Sequence, residues 1–150
     1  MRSKDRELLE FVANYFKSLG FKPKWRTVNT GYSVTQESYI CSMPLRRIFE
    51  WFQEHLVEIL SKCRRKVVYS YFAGLIDGDG SFDLKRHDLR ISYSKKEVDK
   101  VLKDRTLLDI LGWRSRIKKT EKCAILVVYK PTSFIKTISP FLLLSRKSLP

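Results

Sequence analysis

Between Ser3 and Gly20 the apolar residues Leu8, Leu9, Val12, Tyr15, Phe16 and Leu19 recur three and four apart, which predicts an amphipathic helix ended by Gly20. The period then drops to two. Across Phe21 to Val28, Lys22, Lys24 and Arg26 share one face of a strand, while Phe21, Pro23 and Trp25 share the other. Trp25, like Trp113 later in the chain, is expected in a core beneath helices. Asn29, Thr30 and Gly31 form a turn, and Tyr32 to Ser42 read as the returning strand. Pro44, favoured in a first helical turn, opens a helix that runs to Leu60, and Ser61 to Lys66 make a basic link.

A parallel series follows. Tyr71 to Phe82, YFAGLIDGDGSF, reads as a glycine-spaced acidic helix, and Asp83 to Ser94 as short alternating strands with a turn near His87 and Asp88. Lys95 to Gly112 is helical, Trp113 to Lys130 a hairpin, and Pro131 starts a last helix that Pro140 kinks or shortens.

The two series match in letters as well as in order. Ser3-Lys4 opens a helix that closes on Leu19-Gly20-Phe21, and Ser94-Lys95 opens one that closes on Leu111-Gly112-Trp113. Lys22, Lys24 and Arg26 follow the first glycine at the spacing with which Arg114, Arg116 and Lys118 follow the second. Leu60-Ser61-Lys62 answers Leu144-Ser145-Arg146. Such ordered self-similarity implies an internal repeat. The predicted class is α+β: a complete αββαββα unit over residues 67–150, preceded over residues 1–66 by a partial αββα copy without its opening helix and hairpin.

Composition narrows the function. Thirty Lys and Arg against sixteen Asp and Glu give a formal charge of +14, the footprint of a nucleic-acid binder. The bases are not gathered on one amphipathic helix, so a membrane surface fits less well. No apolar run approaches the roughly 20 residues of a membrane span, and the charged start MRSKDRELLEF does not read as a secretory signal. An intracellular, non-secreted protein is expected. Cys41, Cys63 and Cys123 lie far apart without C-x-x-C spacing, and His55 and His87 are isolated, so neither a disulfide framework nor a zinc site is indicated.

Against that basic background the acidic helix is the anomaly. Gly74 and Gly78 lie four apart on one side, beside Ala73 and Asp77, and residues this small allow close approach of another helix. A glycine inside a helix costs about 0.5–1 kcal/mol relative to alanine, so two of them ask for a packing reason. Asp79 precedes Gly80, a natural end for the helix, and so sits at the negative end of the helix dipole. A divalent cation held by hard oxygen ligands, Mg²⁺ or Mn²⁺, removes that conflict.

The run Phe72-Ala73-Gly74-Leu75-Ile76-Asp77-Gly78-Asp79-Gly80 closely resembles the signature of the LAGLIDADG homing endonucleases, departing only in Phe for the first Leu and Gly for the second Ala. The resemblance implies a saddle of antiparallel strands in the DNA major groove, with two motif helices packed at a twofold or pseudo-twofold axis. An acid from each helix would hold metal over the scissile phosphates, and both strands would be hydrolysed. By the same resemblance Asp79 is the metal-binding acid, Gly78 offers its backbone carbonyl, and Asp77 has a structural role. Where the family often carries Gln at the end of the second strand, this chain has Ser94. Its commonly found basic residue after the last helix answers to Arg146 or Lys147, with Lys62 in the equivalent place of the first copy. Some relatives are maturases that act on host intron RNA, which makes a non-catalytic RNA or DNA binder the alternative to an endonuclease.

The strand bases Lys22, Lys24, Arg26, Lys85, Arg90, Arg114, Arg116 and Lys118 would mostly project from one sheet face, with Gln36 and Ser38 as neutral partners, and present that face to double-stranded DNA. Gly74 and Gly78 find no partner helix in this pattern, and Phe72, Leu75 and Ile76 beside them would leave an apolar patch in water. A homodimer through the motif helix is therefore expected, or a second chain supplying the missing motif.

Overall fold

In the computed structural model, residues 6–29, 31, 34–82 and 88–143 are described in full and residues 2–3 and 83 by their backbone. The described elements are β1 (Arg2–Ser3), α1 (Arg6–Ser18), β2 (Lys24–Asn29), β3 (Val34–Tyr39), α2 (Met43–Glu54), α3 (Leu56–Ser61), α4 (Arg65–Asp79), β4 (Gly80–Asp83), β5 (Asp88–Ser94), α5 (Val98–Ile110), β6 (Ser115–Lys119), β7 (Cys123–Val128) and α6 (Pro131–Ile138). Two compact units divide between Glu50 and Trp51, within α2 and earlier than the repeat boundary in the sequence. The physical reason is α3, whose Leu56 and Leu60 belong to the core of the second unit.

In the first unit an antiparallel sheet of order β1-β3-β2 is covered by α1, which buries Leu8, Leu9 and Ala13. Phe16 meets Phe21 and Phe49 edge to face at 5.9 and 6.5 Å between ring centres. Trp25 corrects one expectation: it is 45% exposed, because this small sheet with a single helix across it covers only one flank of the indole.

The second unit has the order αββαββα from α4 to α6, around one antiparallel sheet of order β4-β5-β7-β6. Leu89, Ile91 and Tyr93 alternate inward along β5 and meet Leu126 and Val128 of β7 on the same face. Helices cover that face with Phe72 and Ile76 from α4, Val101, Leu107 and Leu108 from α5, and Phe134, Ile135 and Ile138 from α6. Each large side chain so buried contributes about 1.5–3 kcal/mol relative to exposure. Trp113 packs against this core with its ring 5.1 Å from that of Phe134. A 3₁₀ turn at Ser139–Phe141 replaces a continuation of α6, so Pro140 shortens the helix.

Helix α1 of the first unit and α5 of the second end in one geometry. Gly20, at φ +86°, donates to Lys17 O while Phe21 donates to Phe16 O. Gly112, at φ +82°, donates to Asp109 O while Trp113 donates to Leu108 O. These are paired Schellman caps, and their left-handed glycines are what the Leu-Gly-aromatic triplets encode.

Two boundaries differ from the sequence reading. The helix expected from Pro44 to Leu60 breaks at His55, and Lys103 Nζ donates to the carbonyls of Gln53 and Glu54, at 2.6 and 3.2 Å, that the break leaves unpaired. Arg65 and Lys66, assigned to a basic link, form the first turn of α4 instead.

A buried acid that sequence reasoning passed over ties three elements together. Asp104, fully buried on α5, accepts hydrogen bonds from Tyr71 of α4 at 2.6 Å and Tyr93 of β5 at 2.7 Å. Burial raises the pKa of its carboxyl, with the two phenol hydrogen bonds opposing that rise, and burial beside the carboxylate raises both phenols. Asp104→Ala is expected to lower stability by about 2–4 kcal/mol in urea denaturation, since it strands two buried hydroxyls. The stability that comes from Asp104 being raised in the folded state is full below its unfolded pKa of about 4 and is lost as pH rises through the folded value. Asp104→Asn should remove that loss, so its denaturation midpoint relative to wild type should improve between pH 4 and pH 7.

A candidate nucleic-acid interface and the end of the motif helix

Helix α4 carries the glycine-spaced motif and ends at Asp79, which is exposed. Gly80 leaves the helix at φ −81° and ψ 146°, so it is not the left-handed cap its position suggests. Glycine is required there for another reason. A Cβ would lie 2.5 Å from Ile76 Cα and 2.7 Å from Ile76 O, and no side chain fits that approach. The chain therefore turns directly from helix into β4, and Asp79 is fixed at the corner.

The faces of α4 are divided more sharply than the motif suggested. Ala73 and Asp77, grouped with the glycines as helix-packing residues, are buried within the second unit instead. Asp77 accepts the backbone N–H of Leu143 at 2.8 Å. Phe72 and Ile76 are also buried, so no apolar patch of those residues stands in water. Gly74 and Gly78 are exposed, and among the described residues nothing lies within 4 Å of a Cβ built on either. One helical step of about 100° separates each glycine from its buried neighbour, which explains the division. The open flank is narrow and small, running from Val67 through Ser70 to Gly74 and Gly78.

The face of the second unit's sheet away from the helices holds the basic residues. Register places Arg90 and Arg116 on either side of Val127, and Lys118 and Ser92 on either side of Ile125. Ser81 lies opposite Arg90, and Ser94 opposite Cys123 at the end of β5. Sequence reasoning missed Ser81 and Ser92 on this face, and only the strand pairing brings them to Arg90. Arg90 pairs with Asp88, at 2.8 Å from its Nε, whereas Arg116 lies over the Tyr129 ring at 6.0 Å. Arg114 is exposed just before β6.

In the first unit Lys24 and Arg26 share a face with Glu37 and Tyr39, and Arg26 is paired with Glu37 and stacked 5.2 Å from the Tyr39 ring centre. Gln36 and Ser38 fall on the opposite face, with Trp25 and Thr27, and Ser38 is buried. Strand alternation thus removes these two from the face that carries Lys24 and Arg26, contrary to expectation. Lys22 is exposed in the loop before β2.

Lys62 does not join Asp79. It is held by Glu58 at 2.8 Å, an ion pair that lowers the Glu58 pKa, and it lies beyond the N-terminal end of α4. Asp79 is at the other end of that helix, about 20 Å away at 1.5 Å per residue. Lys85, Arg146 and Lys147 lie outside the described residues. Among the described residues no group of three or more His, Cys, Asp or Glu is placed to hold a metal ion. Asp79 supplies one hard carboxylate, which suits Mg²⁺ or Mn²⁺ only together with phosphate oxygens, water or another acid. No helix among the described residues is long and apolar enough to cross a membrane.

Comparison with known proteins gives one profile match and a set of solved structures of similar fold. A family profile described as a LAGLIDADG-like domain matches residues 66–130. A structure of mesophilic variants from the homing endonuclease I-DmoI superposes with a TM-score of 0.70 at 19% identity, covering 96% of this chain and 80% of that one. I-DmoI in complex with DNA and Ca gives 0.63 at 18% identity, over 92% of this chain and 72% of the other. I-DmoI with DNA and Mn gives 0.65 at 19%, over 92% and 78%. No curated protein matches the sequence.

Proposed function

We propose, from the match of residues 66–130 to the LAGLIDADG-like domain profile, that the protein is a site-specific, divalent-metal-dependent endonuclease acting on double-stranded DNA. The observation that carries this reading is Asp79, exposed where α4 turns into β4, on a helix whose glycine flank is open. Asp79 and the backbone carbonyl of Gly78 would hold the metal, which when bound supplies charge stabilisation at a phosphate and an activated water. Buried Asp77 ties the helix to Leu143 and so holds its C-terminal end in place. Arg90, Arg116 and Lys118 on the open sheet face, with Arg114 beside them, would contact the duplex, and Lys24 and Arg26 would give the first unit phosphate contacts of its own. I-DmoI, a structural neighbour, has been seen with DNA and with Ca or Mn, which supports both the ligand and the type of metal. Incubation with plasmid carrying a randomised insert, with and without Mg²⁺, tests the reading; recovery of one cleaved sequence only with metal is expected.

A second reading, a non-catalytic binder of intron RNA or DNA on the same sheet, is favoured by the absence, among the described residues, of a group of three or more metal-ligating side chains around Asp79 and by Ser94 at the end of β5. Binding without cleavage in that screen would select it.

The flank from Val67 to Gly78 is proposed to pack on another motif helix, supplied by a second copy or a second chain. With a second copy, two Asp79 side chains would meet near one axis, as an isologous contact requires. Gly74→Leu is expected to convert a dimer to monomer in mass-resolved chromatography and to abolish double-strand cleavage. Its side chain meets open space within the unit, so folding should survive. An unchanged mass and unchanged cleavage would place the partner elsewhere.

A further inference from the structure

At the end of the second unit's sheet, a depression of about 770 Å³ opens between the start of α4, the α5–β6 turn and the β7–α6 turn. Its walls bring together Arg65, Arg114 and Lys130 with Tyr69, Trp113 and Tyr129, and no acid lines it. Among the described residues none of Arg65, Arg114 and Lys130 has a carboxylate within 4.0 Å, as Arg116 and Lys118 also do not, whereas Arg26, Arg46, Lys62, Arg90 and Lys100 each do. Three uncompensated cations around one concavity repel one another until an anion arrives. Lys130 also departs from ordinary backbone preference: its φ of 53° and ψ of 52° are left-handed, and among the described residues it alone does this without being glycine. Glycine would take that conformation without strain, so the lysine side chain is held there against the backbone preference. The aromatic walls supply the other half of a ligand, since bases stack on Tyr and Trp whatever their sequence. The volume falls within the usual range of about 300–1,000 Å³ for small-ligand sites.

We propose that this depression binds one unpaired, phosphate-bearing nucleotide, with the phosphate between Arg65, Arg114 and Lys130 and the base against Tyr69, Trp113 or Tyr129. Tyr129 and Arg116 are stacked, so the depression is continuous with the open sheet face and would take a nucleotide at or beyond the end of a bound duplex. Binding here requires no cleavage, and the site lies at the opposite end of α4 from Asp79, so it stands or falls apart from the endonuclease reading.

Calorimetric titration of the full chain with 5′-AMP, inorganic phosphate, a ten-nucleotide dT strand and a ten-nucleotide rU strand tests the site, alongside Lys130→Gly and Tyr129→Ala. The strands separate DNA from RNA as the source, and 5′-AMP reports a free nucleotide. At least one nucleotide probe is expected to bind ten-fold or more tighter than phosphate. Lys130→Gly should weaken that probe at least five-fold while melting no lower than wild type, because it relieves the left-handed lysine. Tyr129→Ala should weaken the nucleotide but leave phosphate within two-fold. Phosphate binding as tightly as every nucleotide, absence of binding by all four probes, or Lys130→Gly binding as wild type would each overturn the proposal.

Discussion

Asp79→Asn is expected to abolish strand cleavage, by three orders of magnitude or more in rate, while duplex affinity in Ca²⁺ and the melting temperature remain close to wild type. Asp79 is exposed at the end of α4, so its replacement removes little packing. The amide keeps the shape but loses the charge that a hard cation requires, so metal-dependent chemistry goes with it. Relief of a carboxylate from the negative end of the helix dipole should make the variant slightly more stable, by about 0.3–1 kcal/mol. Cleavage within a few-fold of wild type would remove Asp79 from the chemistry. Loss of cleavage together with loss of folding would instead place its role in the helix-to-strand corner.

The second large effect concerns the sheet face. Arg116→Gln with Lys118→Gln is expected to reduce the slope of log affinity against log salt for duplex DNA by about 1.8, since each neutralised phosphate accounts for about 0.9. The two side chains project from β6 on the face opposite the core, with Val127 and Ile125 as their cross-strand neighbours. Neither makes an ion pair among the described residues, so each is available to a phosphate. At low salt the affinity loss should be about ten-fold greater than at four times that salt, which a pair of fluorescence titrations can read. An unchanged slope would show that the duplex lies elsewhere, whatever the total affinity does. Arg90 is a poorer target, since its guanidinium already serves Asp88.

Much of the fold was legible because its signals are local. The Leu-Gly-aromatic triplets marked two helix ends, and both became left-handed glycine caps. The alternation of β5 by itself separates Leu89, Ile91 and Tyr93 from Arg90, Ser92 and Ser94. What escaped depends on pairing between distant segments. Gln36 and Ser38 could be assigned to a face only once β3 was registered on β2, and then they fell beside Trp25. Lys62 looked equivalent to Arg146 by its letters, yet a whole helix stands between it and Asp79. Ala73 and Asp77 adjoin the glycines in sequence but face the other way around α4. Asp104 did leave a signal, as an acid on the apolar stripe Val101, Leu107, Leu108 and Leu111, and an acid in such a stripe calls for buried donors. The break at His55 left none that periodicity could find, since it is compensated by Lys103 from another helix.

The order β4-β5-β7-β6 leaves the second unit's sheet with two edges, and both discourage accretion. β4 is four residues long and continues straight out of α4, which leaves little ladder for another chain to extend. β6 is five residues long and carries Arg116, Lys118 and Lys119, so a second β6 would bring six cations alongside one another. Short and charged edges of this kind are how sheets avoid adding strands from neighbours. Growth of this sheet by addition of a neighbour's strand is therefore discouraged at either edge.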